Sequence, residues 1–476
     1  MKTEPPPYST AYQRVVVLLL MTAYTFNAMD RTIISIIGQS MKLDLKLTDT
    51  QLGLLGGTAF AVLYAFGGIP IARLAERVSR VNIITVALVV WSALSALCGA
   101  AASFPQLLLI RMGVGVAESG CSPPAHSLIS DYFEPPRRTS ALSIYSCGTS
   151  LGYLLAAVAG GYVAQHWGWR AACALVGLPG IAIAIVIKAL IREPAREVRP
   201  LPPFSLMSEM RELGAVGKAL MGGGPVLHMV LGVSLGGFAA YGFYAFVPPY
   251  LSRAFDLDYA TVGASAGLAG GVAVGMGIVA GGFVADHLGK SNARWYALVP
   301  AIGGLIAAPF YLLAVVQADW RAATGLLAIA GFFQYASLGP TFGVVQNMVA
   351  QRRRATATAL LYVCLSVFAL GLGPLFTGWV IDRFAEAEFN PQRTSQDLKS
   401  AVAYSFRISC PGGAAAATAS AAAQSACRSA LVRATRHGLE AMLLFFAWAC
   451  VHYFLASIGL AKALKDAAIR NAITVP

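Results

Sequence analysis

Gly282-Phe-Val-Ala-Asp-His-Leu-Gly-Lys290 repeats, in altered form, a stretch met much earlier in the same chain, Ala72-Arg-Leu-Ala-Glu-Arg-Val-Ser-Arg80. A small residue, an acid, a small residue and a base recur at one spacing. A second pair repeats the relation: Arg137-Arg138-Thr-Ser-Ala and Arg353-Arg354-Ala-Thr-Ala. Each copy holds the same place between long apolar runs, so the chain reads as two related halves. Duplicated halves of six helices are a transporter architecture, with the substrate site near mid-membrane where the halves meet.

Composition agrees. Of the 476 residues, 57% are hydrophobic and only 12% are charged, against about 25% charged in soluble domains. A bilayer accepts this surface, since about 20 apolar residues span its hydrocarbon core. Twelve spans are expected: Val15–Ile37, Gln51–Arg73, Asn82–Ala102, Pro105–Ser130, Ala141–Val163, Arg170–Leu190, Pro225–Pro248, Thr261–Ala285, Trp295–Val316, Ala322–Val349, Ala355–Ile381 and Gly438–Leu464. Runs this long and uniformly apolar predict helices, not the alternating strands of a barrel. The expected fold is an all-α membrane protein of 12 transmembrane helices in two pseudo-symmetric six-helix halves. Residues 1–190 form the first half and 191–224 a charged, proline-rich linker with a short amphipathic helix around Phe204–Leu213. Residues 225–476 form the second half, including a long outer loop, 382–437.

The net charge of +13 would suggest nucleic acid in a soluble protein, but here Lys and Arg gather in short loops between the spans. That bias places both termini in the cytoplasm. The polar, proline-rich first residues make the first apolar run a span and not a cleaved signal. Six cysteines fall in apolar runs. Cys410 and Cys427 instead flank an Ala-rich stretch, Ala414–Ala426, which favours a short helix. On the oxidising outer side they form a candidate disulfide, with two free thiols as the alternative.

These residues name a family. Gly282–Lys290 resembles the signature loop of the major facilitator superfamily; the first copy departs from it at Ala72, Glu76 and Ser79. Arg111-x-x-x-Gly115 resembles a second motif of that superfamily. Asn27-Ala-Met-Asp-Arg31, Gly113-Val-Gly-Val-Ala-Glu-Ser-Gly-Cys-Ser-Pro-Pro-Ala125 and Gly168-Trp-Arg170 are similar to the spinster-like subfamily. The resemblance implies the major facilitator fold and a proton-driven transporter of lysolipids or sphingosine-1-phosphate-like molecules. It further implies a bacterial-type member, monomeric, in the inner membrane.

Ionisable groups inside a span are costly and mark function. Asp30 and Arg31 lie in span 1, Arg111 and Glu118 in span 4. Both arginines sit about 10 Å in from the outer ends of their helices. The four would form one neutral network if those helices pack together. Asp30 and Glu118 are then candidate proton carriers. Arg31 and Arg111, with Phe26, Asn27 and Gly115 beside them, are candidates for holding an anionic head group. The plain alternative is a set of structural ion pairs. Phe238, Tyr241 and Tyr244 in span 7, with Phe332, Phe333, Tyr335 and Thr341 in span 10, offer an apolar wall opposite, suited to an amphipathic ligand. Glu76, Arg77, Arg80, Asp286, Lys290, Arg137, Arg138, Arg353 and Arg354 read as a latch that closes the cytoplasmic side, or as topology signal alone. His126 and His228 read as packing histidines.

Enzyme, nucleotide-binding and metal motifs are not found, so no cofactor or metal is expected and an ion gradient supplies the energy. The leading expectation is a transporter of an amphipathic, anionic lipid coupled to protons. The alternatives are an organic anion–proton symporter or multidrug exporter of the same superfamily, and a non-transporting sensor or scaffold.

Overall fold

The structure, a computed structural model, describes residues 8–194, 211, 214, 216–218, 220, 224–349, 354–389 and 405–473. All regular elements among them are helical. In the first half, α1 spans Thr10–Leu45, its start capped by Ser9 Oγ, which accepts the Tyr12 N–H at 3.3 Å. α2 runs through Asp49–Gly53, Leu54–Thr58 and Ala59–Arg77. A reciprocal capping box opens it: Gln51 N–H donates to Thr48 Oγ1 at 3.1 Å and Thr48 N–H to Gln51 Oε1 at 2.9 Å. α3 is Arg80–Cys98, and α4 comes in two pieces, Phe104–Glu118 and Ser122–Tyr132. α5 and α6 are one helical stretch, Pro135–Leu190, broken at Gly168, whose φ of 83° only glycine adopts freely.

In the second half, α7 is Gly224–Phe255, α8 Tyr259–Gly289 and α9 Trp295–Val315. α10 is again two pieces, Trp320–Tyr335 and Leu338–Asn347. α11 runs through Arg354–Cys364, Leu365–Leu372 and Gly373–Glu388. α12 is Ala421–Ser457, and α13, Leu460–Ile473, turns off after it.

Nine helical stretches among the described residues are long and apolar enough to cross a membrane. One of them, Ser140–Leu190, has 51 residues, twice what the hydrocarbon core needs; folded at Gly168, it is two spans. Two more spans, α1 and α4, miss the criterion. They are the helices with Asp30, Arg31, Arg111 and Glu118 along their length, and α4 is interrupted besides. Charged and polar residues lower the hydropathy of α1, and the break divides α4 into pieces of 15 and 11 residues; counted with them, the twelve-span organisation stands.

Four expectations need correction. Spans 4 and 10 were expected to be continuous, but both break, at 119–121 and 336–337. Each break is followed by proline, Pro123-Pro124 in one half and Pro340 in the other, which lacks the N–H to continue the ladder and clashes with the turn before it. The breaks fall at equivalent helices of the two halves. The Ala-rich helix begins at Ala421 and not Ala414, because Ser420 caps it, accepting the Ala423 N–H at 3.3 Å. That helix continues into span 12, which therefore starts well before Gly438 and ends at Ser457. The expected linker helix around Phe204–Leu213 lies, apart from Arg211, outside the described residues.

The halves meet along α2/α11 and α5/α8. A methyl group on Gly57 would come within 2.7 Å of the Leu370 carbonyl oxygen, and one on Gly161 would strike the Tyr259 carbonyl. Three wide-turn segments line these seams, Leu54–Thr58, Gly267–Ala273 and Leu365–Leu372; such turns are rare and gather at functional places. Thr58 Oγ1 donates across the seam to the Gly371 carbonyl freed there, at 2.6 Å. These contacts lie toward the face opposite the termini, so the molecule is closed on that face.

Candidate functional site

α1 and α4 bring all four buried ionisable groups together. Arg111 Nη1 donates to Asp30 Oδ2 at 2.7 Å, and Arg31 Nε donates to Glu118 Oε2 at 2.9 Å. Neighbours on α1 are thus answered by opposite charges two turns apart on α4. The pairs differ in exposure. Asp30, Arg111 and Glu118 are 2%, 1% and 0% exposed, whereas the Arg31 side chain is 26% exposed. Arg31 alone of the four faces open space. Its guanidinium lies over Tyr64 at 4.5 Å and Phe60 at 4.9 Å from the ring centroids, a cation–π arrangement that fixes its plane. Nε is tied to Glu118, while Nη2 is buried without a protein partner.

Several buried polar atoms here have no protein partner: Glu118 Oε1, Arg31 Nη2, Arg111 Nε and Nη2, and both polar atoms of the wholly buried Asn27. Each costs about 1–3 kcal/mol if left unsatisfied, so the two ion pairs leave part of their hydrogen-bonding capacity unused. Glu118 is the last residue of the first α4 piece, where the helix breaks. Gly115 serves packing. A methyl there would meet the Phe60 carbonyl oxygen at 2.6 Å, so its absence lets α4 close on α2.

The aromatic residues of the second half divide. Phe238 is buried in a ring cluster with Phe368, Phe376 and Phe445, centroids 4.7–5.6 Å away. Tyr244 is buried, its hydroxyl 3.2 Å from that of Tyr311 and its ring 6.0 Å from Tyr335. Phe332 and Phe333 meet edge to face, both half-buried. Thr341 is buried and donates to the Ser337 carbonyl at 2.8 Å. Phe26 is half-buried against the core of α1. Of the expected wall residues Tyr241 alone is open, at 42% exposure, and it stands within electrostatic range of Arg31. Tyr362 of α11 lies in range of Tyr24, Tyr64 and Tyr241. Three tyrosines, from α1, α2 and α7, therefore stand within range of the exposed arginine, and Tyr362 of α11 within range of all three. Phe60, Tyr24, Tyr64 and Tyr362 were not singled out from sequence; Phe60 and Tyr64 carried a faint signal, an aromatic pair one turn apart on a helix.

The residues expected to form a latch lie on the other face. Arg80 is buried and holds its own half together, with Asp131 Oδ2 at 2.5 Å and Glu193 Oε1 at 2.7 Å. Burial raises the Glu193 carboxyl, but the Val81 N–H, Arg80 and Ser79 outweigh that and hold it below the usual carboxylate range. Asp286 accepts from Tyr296 at 3.2 Å, and Arg138 Nε donates to the Phe133 carbonyl at 2.9 Å. Arg77 and Arg137 are exposed and Lys290 lies at the end of α8. Arg353 and the side chains of Glu76 and Arg354 fall outside the described residues. His228 Nδ1 is 2.8 Å from His452 Nδ1, and His126 meets the Tyr145 ring edge-on. Cys410 and Cys427 are joined as a disulfide with Cα atoms 5.7 Å apart.

The sequence pattern of the Major Facilitator Superfamily matches residues 20–374. The chain is similar to a solved bacterial homologue of the human lysosomal transporter Spinster, in an inward-facing and occupied conformation. That likeness has a TM-score of 0.82 and 31% identity, and covers 96% of this chain and 99% of the other. An MFS-type efflux pump of Mycolicibacterium smegmatis is 29% identical over 76% of this chain and 83% of its own length. A hexuronate transporter of Bacillus subtilis is 24% identical over 77% and 88%.

Proposed function

This chain belongs to the Major Facilitator Superfamily and is a multi-pass membrane transporter, not an enzyme; on that premise we propose that it moves an amphipathic, anionic lipid of the lysolipid or sphingosine-1-phosphate kind by alternating access, coupled to protons. The observation that carries this reading is the Arg31–Glu118 pair. One guanidinium serves two anions, the Glu118 carboxylate at its Nε and a ligand head group at its exposed side. A proton on Glu118 removes the competitor and strengthens the grip on the ligand, so proton and anion bind together. The tyrosines around Arg31 and the aromatic second half, which among the described residues offers no cation near the site, suit a ligand with one charged end and an apolar body.

A second reading is an organic acid–proton symporter, favoured by the likeness to the hexuronate transporter. Proteoliposomes challenged with a lysophospholipid and with a hexuronate, with and without a pH gradient, separate the two. Lysolipid movement that grows with the gradient supports the first reading. Hexuronate movement alone supports the second, and no movement of either sinks both.

The charge bias of the loops supports cytoplasmic termini, and the likeness to bacterial relatives supports the inner membrane of a bacterium. The face opposite the termini is then the outer one. The loop charges around Asp286, Arg137 and Arg138 act as an inner latch when the molecule opens outward. Asp286→Asn, and Arg137 with Arg138 both changed to Ala, are each expected to raise the inward-open population severalfold, read from spectroscopic distances across the inner face. Unchanged distances in both variants would remove the latch.

A further inference from the structure

The Glu118 carboxyl is sealed. It is 0% exposed, Arg31 holds one oxygen, and the other, Oε1, is buried without a protein partner. The face opposite the termini is closed. A proton that leaves Glu118 in this conformation therefore travels toward the face that carries the termini. Over that distance it needs groups that can both accept a proton and give one, which thiols, hydroxyls and imidazoles can.

Such groups follow Glu118 down α4. Cys121 is buried, within electrostatic range of Glu118 and Arg31 and within hydrogen-bond range of Tyr145 of α5. The Tyr145 hydroxyl donates to Ser122 Oγ at 3.3 Å. Tyr145 is buried too. Its ring stacks on Tyr24, which lies in range of Arg31, with centroids 4.5 Å apart. The His126 ring meets Tyr145 edge-on, its centroid 5.2 Å away. Glu118, Ser122 and His126 stand at four-residue steps, a spacing that keeps side chains toward one side of a helix. Burial ends at the last of them: His126, expected as a packing residue, is exposed. The piece of α4 that carries it packs against α1, α2, α3 and α5, so its exposed side looks into the space between the halves.

We propose that His126 is the proton exit of this carrier, reached from Glu118 through the Cys121 thiol and the Tyr145–Ser122 hydroxyl pair. The inference rests on the reading of Glu118 as the proton carrier. The thiol and the hydroxyls each take one proton and give one, so they end as they began. The imidazole takes the proton as imidazolium, a form it enters and leaves readily at physiological pH, and releases it to the water between the halves. Run backwards, the same chain reloads Glu118.

The test uses the purified full-length protein in lipid nanodiscs, with no substrate. A stopped-flow pH jump is followed through the infrared carboxyl band of Glu118, identified as the band missing from Glu118→Gln. In a dilute buffer, His126→Ala is expected to slow the response of that band at least about tenfold, and added imidazole to restore it to within about threefold of the unaltered rate. Tyr145→Phe keeps the ring packing and loses only the hydroxyl. It is expected to be slowed as well, and not to be rescued by imidazole, because its break lies before the exit. An unslowed band in either variant, a slowed His126→Ala that imidazole does not restore, or a Tyr145→Phe that it does restore overturns the proposal. Should one variant fail to fold, the other decides. A Glu118 band that ignores pH in the unaltered protein overturns the reading of Glu118 as carrier and the exit with it, so the two failures are told apart.

Discussion

Glu118→Gln is expected to abolish proton-driven accumulation while leaving ligand binding and ligand-for-ligand exchange in place. The carboxylate is wholly buried, bonded to Arg31 through one oxygen, and has Asp30 as a second acidic neighbour. While charged, it holds Arg31 and competes with an anionic ligand for the same guanidinium; once protonated it does neither. In the unaltered protein, affinity for the anion should therefore rise as pH falls, by about 5–150-fold, the ordinary span of coupling between two sites. Glutamine keeps the shape and a hydrogen-bond acceptor but is neutral at every pH. Its affinity should be fixed near the protonated level and flat with pH. Binding measured from acid to neutral pH, beside uphill transport and exchange in proteoliposomes, reads all of this. A glutamine variant with an unaltered pH dependence would place the coupling proton elsewhere.

How much of this site was legible in the sequence follows from what each feature depends on. An acid or base within an apolar run is visible at once, because lipid makes it costly; Asp30, Arg31, Arg111 and Glu118 stood out for that reason. Which acid takes which base did not, since it depends on how α1 and α4 rotate against each other. The proline breaks in α4 and α10 were written plainly at Pro123-Pro124 and Pro340, but the apolar run around them outweighed them. A network at the outer ends of the helices, in which Arg253 of the second half bonds Asp49 of the first, was hidden for a different reason. Lys42, Asp49, Arg253 and Asp382 lie at helix ends, where charges normally meet water and signal topology. Asp49 and Arg253 are 204 residues apart, and only closure of the two halves buries them. A property of one conformation leaves no local mark in sequence.

The two arginines of the central site look equivalent in sequence and are not so in space, and this sets the last expectation. Arg111 is sealed, its Nη1 committed to Asp30, also buried. Arg111→Ala would leave a buried carboxylate without its partner, a loss of about 3–5 kcal/mol, read as a large drop in thermal stability with every ligand affected alike. Arg31 is the reachable one, with 26% of its side chain exposed, and a guanidinium is the group that grips a phosphate or carboxylate most firmly. Hydrogen bonds to charged groups are worth about 1.5–3 kcal/mol. Arg31→Ala should therefore weaken an anionic lysolipid by roughly 10- to 150-fold, at 1.4 kcal/mol per factor of ten, and a neutral analogue of the same chain by less than about threefold. Arg31→Lys restores the charge but not the planar fork or its stacking on Phe60 and Tyr64, and should fall between. Equilibrium binding of the matched pair of ligands to the three proteins measures the difference directly. Equal losses for the charged and neutral ligands in Arg31→Ala would return Arg31 to the role of a structural partner for Glu118.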